Sequence, residues 1–315
     1  MINFKKYQSI DNYYLANIEL WKEKYLDIEE EKFVILEKID GANIQFIFEP
    51  NIPYRIGRRT NLLKENEKFY NIWEFIHDEK IDIFINYIQS ICNTSGNNYR
   101  IYLEYYGPKI NNRVWYGSEK DIVILDCEIN NVLMSHEQLI DRFNRLKCEN
   151  LTPPIISYEI GLTNALNACC DFESKVPCDA TIDNPAEGII IKPFTTNFYD
   201  YRGNRLIYKK KNEKFSEIRP KKSTRIKINS EEIDSKFLEY INYNRMISIF
   251  TNFGKITNKS EIGKYINLIS SDAIEDFKKD NLDLDFNEKV LIKIASKEIC
   301  KLLLMALNKE NENVI

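Results

Sequence analysis

The chain has 315 residues, of which 43% are hydrophobic and 12% aromatic, and its formal net charge is −4. This length predicts two domains, or one large domain with an appendage, and the apolar content is ample for a packed core. No apolar run approaches the ~18 residues of a membrane span, and the N-terminal residues lack an apolar signal-peptide core. We therefore expect an intracellular, cytoplasmic protein without a membrane partner.

Cysteine and histidine usage narrows the chemistry further. The seven cysteines form an odd and irregular set, which indicates a reducing compartment. Cys169, Cys170 and Cys178 lie close together, but no second C-x-x-C pair or nearby histidine completes a tetrahedral zinc site, so buried thiols are the favoured interpretation. With only two histidines in the chain, catalysis is expected to depend on lysine and carboxylates.

Residues 1–229 mix strands and helices without a regular βαβ repeat, which predicts an α+β fold. The strands are expected at residues 33–36, 44–48, 99–106, 121–126, 189–191 and 206–208, and the helices at 69–90 and 135–147. Asp40-Gly41 forms a turn between the first two strands. Lys38 is therefore expected at a strand end, where a side chain can project into a cleft.

The remainder of the chain has a different texture. Helical patterns are expected at residues 233–250, 261–269, 272–279 and 287–307. We therefore predict a small all-helical C-terminal domain at residues 230–315, following a larger domain at residues 1–229.

The basic residues are concentrated just before this boundary. From Arg202 to Lys227 the sequence holds eleven basic residues and two acidic ones, Glu213 and Glu217. Such a patch on an otherwise acidic chain is typical of a polyanion-binding surface. A solvated basic loop is the alternative interpretation.

Lys38 heads a set of residues that would support a nucleophilic amine. A lysine is a weak nucleophile while its lone pair carries a proton, and neighbouring cations favour the loss of that proton. Lys209 and Lys211, two residues apart on a strand, share one face and could serve this purpose while also holding phosphate oxygens. Arg59 offers the forked donor geometry that suits a phosphate.

Two carboxylates complete the set. Glu104, on a strand, could accept hydrogen bonds from a ribose, and Glu187 could orient hydrated magnesium beside phosphate oxygens. Lysine attack on an α-phosphate would then leave AMP on Lys38. Taken singly, each of these residues could equally be an ordinary surface position, and the hypothesis depends on their order and spacing together.

These motifs resemble those of the RNA ligase 2 family, within the covalent nucleotidyltransferase superfamily. The run from Glu37 to Asn43 is similar to the family's nucleophile motif, with Lys38 as the adenylylated residue. Arg58-Arg59-Thr60 resembles the family's next motif. Glu104 matches the family's ribose-binding glutamate. The fourth and fifth motifs are matched by Glu187 with Lys192 and by Lys209 with Lys211.

The resemblance implies a nucleotidyltransferase domain with antiparallel sheets around a nucleotide cleft. It also implies ATP and Mg²⁺ or Mn²⁺ as cofactors, with Glu187 as the metal ligand and Glu37, Ile39, Asn43, Glu104, Ile122, Ile190 and Lys192 as nucleotide-binding residues. Ile122 stands where the family places an aromatic ring against adenine, so looser ATP binding is expected. In the helical domain the resemblance nominates Arg245, Asp272 and Asp276.

The function implied is an ATP-dependent RNA ligase that acts as a monomer and joins 3′-hydroxyl to 5′-phosphate ends in nicked duplex or bridged RNA. DNA ligases and capping guanylyltransferases of the same superfamily are alternatives. Both usually carry an OB-fold after the fifth motif, whereas this sequence predicts helices there. A catalytically silent RNA-end-binding protein is the alternative from another class.

Overall fold

The computed structural model describes residues 3–65, 67–111, 113–145, 151–179, 183–215, 230–281 and 286–312. The chain divides into two compact units, Met1–Lys214 and Phe215–Ile315. The predicted boundary at residues 229 and 230 adjoins residues 216–229, which lie outside the described ranges, so its position stays a prediction. No helix in the described ranges is long and apolar enough to cross a membrane.

The first unit contains both strands and helices, in an irregular order. The strands are β1 (Asp11–Asn12), β2 (Lys32–Glu37), β3 (Ala42–Glu49), β4 (Ile52–Arg58), β5 (Tyr99–Tyr106), β6 (Asp121–Ile129), β7 (Val132–Leu133), β8 (Ile155–Ile160), β9 (Gly188–Pro193) and β10 (Tyr208–Lys211). The helices are α1 (Ile18–Lys24), α2 (Ile72–Phe75), α3 (Glu79–Ser95), α4 (His136–Arg145) and α5 (Leu162–Asn167). The α+β class is confirmed.

Ten strands of the described residues form two five-stranded sheets. The first has the order β1-β10-β9-β2-β8, and the second has the order β4-β3-β5-β6-β7. All neighbouring strands are antiparallel except β1 and β10, which pair in parallel. One face of the first sheet packs on α1 and α5, where Trp21, Phe33 and Leu162 share a buried cluster.

The second sheet buries one face under α3. This helix begins after Asp78, whose side chain accepts the Lys80 backbone N–H, and it ends at Gly96 in a left-handed conformation with φ of 71°. Its buried residues recur at helical spacing, as a half-buried helix requires: Ile81, Phe84, Ile85, Ile88 and Cys92. The predicted helix at 69–90 is thus divided into α2, which ends at Phe75, and α3, which Asp78 caps.

The second unit is helical in its described part and has its own buried core. Its helices are α6 (Ser230–Leu238), α7 (Tyr243–Phe253), α8 (Ile262–Asp280) and α9 (Glu288–Glu312). The predicted helix at 233–250 is two helices, because the Asn242 side chain accepts the Arg245 backbone N–H and starts α7. The two helices predicted at 261–269 and 272–279 are one, α8.

Candidate active site

The turn after β2 brings the nucleophile motif against both sheets. The Lys38 backbone N–H donates to the Gly188 carbonyl at 2.9 Å, which continues the pairing of β2 with β9. Gly41 then passes so close to β5 that a Cβ atom there would lie 2.5 Å from the Tyr105 carbonyl oxygen. Only glycine fits this approach, which explains the glycine of the K-x-D-G motif in physical terms.

Lys38 and Lys211 share one carboxylate. Lys38 Nζ lies 2.5 Å from Glu187 Oε2, and Lys211 Nζ lies 3.0 Å from Glu187 Oε1. The Glu187 side chain is 2% exposed, whereas that of Lys38 is 20% exposed. Burial alone would raise the pKa of Glu187, but the ammonium groups of Lys211 and Lys38 and the Arg113 guanidinium lower it to about 2.

This arrangement differs from the expected one in an important way. The sequence predicts that cations surround Lys38, but the structure places the Glu187 carboxylate between Lys38 and Lys211. A carboxylate at this distance stabilises the charged ammonium. Lys38 must therefore leave Glu187 before its amine can attack a phosphate.

Arg113 is a residue of this site that the sequence does not single out. Its Nε donates to Asp40 Oδ2 at 2.8 Å, and its Nη2 donates to Asp40 Oδ1. The same Nη2 lies 3.9 Å from Glu187 Oε1. A basic residue in a loop sixty residues or more from either carboxylate gives no sequence signal of this contact. We call Lys38, Glu187, Lys211, Asp40 and Arg113 the nucleophile cluster.

The side chains on either side of Lys38 point into the protein. Glu37 accepts a hydrogen bond from Ser174 Oγ at 2.6 Å and another from the Lys175 backbone N–H at 2.7 Å. Burial raises the pKa of Glu37, although both of these bonds oppose the shift. Ile39 is also buried, at 3% exposure. If these two residues bind nucleotide, they do so through backbone groups, because both side chains are enclosed.

Sheet register places Asn43 beside Glu104 and Glu104 beside Val123 on one face of the second sheet. Asn43 is buried and donates to the Leu103 carbonyl at 3.3 Å, while its Oδ1 has no partner within the described residues. Burial raises the pKa of Glu104 to about 8; Lys38 opposes this shift, and Glu187 adds to it. At neutral pH this pKa favours the protonated form of the Glu104 carboxyl.

The prediction for Ile122 is wrong. Ile122 pairs with Tyr105 and belongs to the buried core under α3, with no exposed surface. Because successive side chains of a strand alternate between faces, Ile122 lies on the opposite face from Glu104 and cannot contact a nucleotide beside it. Val123 is the β6 residue that shares the face of Glu104.

Lys192 belongs to a second cluster, which lies where β9 meets β6. Lys192 Nζ donates to the Leu125 carbonyl at 2.9 Å and lies 3.2 Å from Asp126 Oδ1. Arg205 binds both oxygens of the same aspartate, at 2.7 and 3.1 Å. Tyr7 donates to Asp126 Oδ2 at 2.5 Å. We call these four residues, Tyr7, Asp126, Lys192 and Arg205, the deep cluster.

Burial dominates the electrostatics of the deep cluster. It lowers the pKa of Lys192 to about 8, although Asp126 opposes the shift. Burial would also raise the pKa of Asp126, but Arg205 and Lys192 hold it well below its usual range. The ammonium of Lys192 is thus paired with Asp126 inside the protein. Ile190, two residues before Lys192 on β9, shares its face and is half-buried.

The remaining predicted phosphate ligands lie near β1 and β4. Arg59, directly after β4, donates from Nη2 to Ser9 Oγ at 2.9 Å. Lys209 pairs in register with Asn12 of β1 and with Ile190 of β9. Lys209 and Lys211 are two residues apart on β10, so their side chains lie on the same face of the sheet. That Lys209 holds a phosphate stays a prediction.

The predicted basic surface from Arg202 to Lys227 is partly internal. Arg205 and Lys211 bind Asp126 and Glu187, and Lys210 Nζ donates to the Ala168 carbonyl at 2.9 Å. These residues occupy β10 and its approach, so their side chains pack within the unit and do not form an outer patch. Residues 216–229 lie outside the described ranges. The prediction of buried thiols also needs correction, because Cys169 and Cys178 are exposed free cysteines.

Arg245, Asp272 and Asp276 meet in the second unit. Arg245 is fully buried, and its guanidinium contacts both carboxylates, with Nη2 2.9 Å from Asp276 Oδ2. Its Nε donates to the Tyr240 carbonyl at 2.8 Å. The two aspartates therefore do not form a separate solvated face, and the arrangement ties α7 to α8.

Two largely antiparallel sheets that bring lysines and glutamates together are the architecture predicted for a nucleotidyltransferase domain. Residues 31–211 match the family model described as RNA ligase, and residues 224–310 match the model described as T4 RNA ligase 2 C-terminal. The first match covers more than half of the chain. The chain therefore belongs to the RNA ligase family, and its C-terminal region is of the RNA ligase 2 type.

Solved structures of Naegleria gruberi RNA ligase are more distant. A mutant with ATP and Mn is 14% identical with a TM-score of 0.48, and the enzyme with PPi is 14% identical with a TM-score of 0.47. Each match covers 67% of this chain and 57% of the other. The chain thus spans little more than half the length of these ligases. No curated protein sequence matches the chain.

Proposed function

We propose that the protein is an ATP-dependent RNA ligase that acts through a lysyl-AMP intermediate. Lys38 Nζ, after losing its proton, forms a bond to the α-phosphorus of ATP, and the bond to pyrophosphate breaks. The AMP then passes to the 5′-phosphate of an RNA strand, which frees Lys38. Finally the 3′-hydroxyl attacks the activated phosphate, loses its proton and expels AMP.

The observation that carries this proposal is the shared carboxylate of the nucleophile cluster. Lys38 is the more exposed of the two lysines on Glu187, so it can turn toward a phosphate while Lys211 remains. When Lys38 leaves, Lys211 and Arg113 still balance the charge of Glu187. Lys38 can therefore exchange Glu187 for a phosphate without leaving the buried charge of Glu187 uncompensated.

The surrounding residues fit a nucleotide in one orientation. Arg59, Lys209 and Lys211 would hold phosphate oxygens and offset the negative charge that develops on them. Glu104, protonated or not, can hydrogen-bond a ribose hydroxyl. Ile190 offers an apolar face for adenine. Glu37 and Ile39 would bind the nucleotide through backbone groups, and Asn43 lies beside Glu104. Lys192 supports this pocket through Asp126 and does not need to touch the nucleotide.

The carboxylate of Glu187 is also a suitable ligand for magnesium or manganese. Within the described residues no group of three or more His, Cys, Asp or Glu side chains could hold a metal ion. A divalent ion of this kind is often bound by one or two carboxylates together with substrate phosphates. Glu187 is the residue that would hold it, and the ion would neutralise charge on the phosphates.

We extend the proposal to the RNA substrate. The ends to be joined are a 3′-hydroxyl and a 5′-phosphate, in a nicked duplex or in strands bridged by a complement, and the enzyme acts as a monomer inside the cell. The exposed free thiols of Cys169 and Cys178 support a reducing compartment. Arg245, Asp272 and Asp276 would act by keeping the helical unit in shape.

Labelling with radioactive ATP and magnesium tests the proposal directly. The wild-type protein should form an adduct that survives acid, and Lys38→Ala should form none. Lys32→Ala is the matched control, because Lys32 begins β2, the strand that Lys38 directly follows, but its ammonium lies 3.9 Å from the Tyr158 ring centre. It should label normally.

Substrate choice is tested on nicked duplexes with ribose or deoxyribose on each side of the break. Sealing only where the broken strand is RNA supports the proposal, and equal sealing of DNA favours a DNA ligase. Labelling from GTP in place of ATP would indicate a capping enzyme. A protein that binds RNA ends but takes no label would be the catalytically silent alternative.

A further inference from the structure

Arg113 connects the K-x-D-G turn, which carries Lys38, to Glu187, the carboxylate that binds Lys38. Its guanidinium donates hydrogen bonds to both carboxylate oxygens of Asp40 and lies 3.9 Å from Glu187 Oε1. The side chains are 14% exposed for Arg113 and 3% for Asp40.

The loop that carries Arg113 is hydrogen-bonded to two other segments of the chain. The Asp40 backbone N–H donates to the Tyr116 hydroxyl at 2.8 Å. The amide of Asn184, three residues before Glu187, accepts the Trp115 N–H at 2.7 Å and donates to the Trp115 carbonyl at 2.8 Å. Residues 113–116 therefore bridge two segments that are distant in sequence, the one with Lys38 and the one with Glu187.

We propose that Arg113 is a positioning residue for lysine adenylylation, which fixes the K-x-D-G turn relative to Glu187. This inference rests on the proposed ligase function. Asp40 is two residues from Lys38, so a shift of the turn moves the amine. A displacement of about 1 Å at a reacting group can lower a rate by about 100-fold.

The arginine fork matters as much as its charge. Two parallel N–H donors fix the orientation of the Asp40 carboxylate, which a lysine cannot do with a single ammonium. Adenylylation also removes the positive charge of Lys38, because the amine becomes a phosphoramidate. Glu187 is then balanced by Lys211 and Arg113 alone, so Arg113 contributes most in the lysyl-AMP state.

The test separates lysine chemistry from the final sealing step. Arg113→Gln, Arg113→Lys, Asp40→Asn and the double variant Asp40→Asn/Arg113→Gln are assayed for lysyl-AMP formation from ATP. The same proteins are assayed without ATP on a nicked RNA whose 5′-phosphate is already adenylylated. The second reaction does not use Lys38 as a nucleophile.

Arg113→Gln should lower the rate of lysyl-AMP formation about 100-fold, with a change of less than about threefold in the KM for ATP. Sealing of the adenylylated nick should fall by less than about threefold. Arg113→Lys should lie between Arg113→Gln and wild type. The double variant should be less impaired than the two single losses multiplied together, because each single change leaves a buried charge less compensated.

Arg55→Gln is the matched control, because Arg55 pairs with the buried Glu49 at 2.5 Å within the second sheet. It should lower the melting temperature as Arg113→Gln does, yet leave the ratio of the two reaction rates unchanged. Equal loss of both reactions in Arg113→Gln, or no loss in either, would overturn the inference. If wild type neither takes label nor seals, the ligase function itself fails, which is a separate result.

Discussion

The first unit holds two clusters of the same residue types that differ in what they can reach. The nucleophile cluster keeps Lys38 at 20% side-chain exposure, with Lys211 at 11%. In the deep cluster Lys192, Asp126 and Arg205 are all at 3% or less. Lys38 can therefore leave Glu187 for another anion, whereas Lys192 is enclosed beside Asp126 and cannot exchange it.

The difference follows from how each carboxylate is shared. Glu187 has two lysines on separate oxygens and one guanidinium further away, so no single partner is indispensable. Asp126 binds Lys192, Arg205 and Tyr7 at once, and the Lys192 and Arg205 side chains are at 3% exposure or less. A buried ion pair loses most when one member is removed. Lysine in a family motif can therefore be either reactive or structural.

The largest expected effect separates these two lysines. Lys192→Met should lower the free energy of unfolding of the first unit by about 3 kcal/mol, because it leaves Asp126 buried with less compensation. Lys38→Met should change it by less than about 1 kcal/mol, since its ammonium is partly hydrated. All three tryptophans, Trp21, Trp73 and Trp115, lie in this unit, so urea unfolding followed by tryptophan fluorescence measures both.

Similar losses in the two variants would contradict the distinction between an exchangeable and a fixed cluster. Lys210→Met serves as a control, because its ammonium is satisfied by backbone carbonyls and by the Tyr13 ring on the other face of β10. It should fall between the two.

The second unit provides an intermediate case. Arg245 has no exposed surface, but its partners Asp272 and Asp276 are 36% and 17% exposed. Arg245→Gln should cost about 2 kcal/mol, less than a fully buried pair, because water can solvate the released aspartates. Far-UV circular dichroism should show the helical unit melting earlier while tryptophan fluorescence is unchanged. An earlier fluorescence transition would mean that the effect is not confined to the second unit.

The sequence predicts most of the nucleophile cluster because strand patterns are local. Apolar residues 33–36 and the Asp40-Gly41 turn place Lys38 at the end of β2, and the strand at 99–106 is found as predicted. Alternation along β10 correctly puts Lys209 and Lys211 on one face. These features depend only on neighbours in the chain.

The parts that escaped prediction depend on contacts between distant segments. Arg113 and Asn184 lie in loops, where no periodicity marks a residue as functional. The family resemblance implies Ile122 beside adenine, but the face that Ile122 occupies is decided by the pairing of β6 with β5. The register shifts between Tyr102 and Leu103, and a bulge of this kind cannot be read from one strand alone.

Glu104, which lies outside both clusters, offers a smaller and pH-dependent test of what burial does to a carboxylate. Burial raises its folded-state pKa to about 8, so its contribution to stability is greatest at acid pH and is lost as pH rises through 8. Glu104→Gln removes this loss. We expect the variant to gain about 1–3 kcal/mol over wild type between pH 5 and pH 9.

Urea unfolding at a series of pH values measures that gain. A difference that stays flat across the range would show that Glu104 is ionised in the ligand-free protein. The shift is opposite in sign to that of Asp126, whose stabilisation is lost when pH falls. Glu104 and Asp126 should therefore respond to pH in opposite directions.

The smallest effect is expected at Ser9, which holds Arg59 by one neutral hydrogen bond of 2.9 Å. Ser9→Ala should lower stability by less than about 1 kcal/mol, because a single neutral hydrogen bond contributes little net free energy. The KM for ATP should change by less than about threefold, whereas Arg59→Ala should reduce lysyl-AMP formation by at least about tenfold. Steady-state labelling at varied ATP measures both. If Ser9→Ala were as impaired as Arg59→Ala, the serine would be part of the phosphate clamp, and Arg59 would belong with the fixed contacts of the deep cluster instead of the exchangeable ones around Lys38.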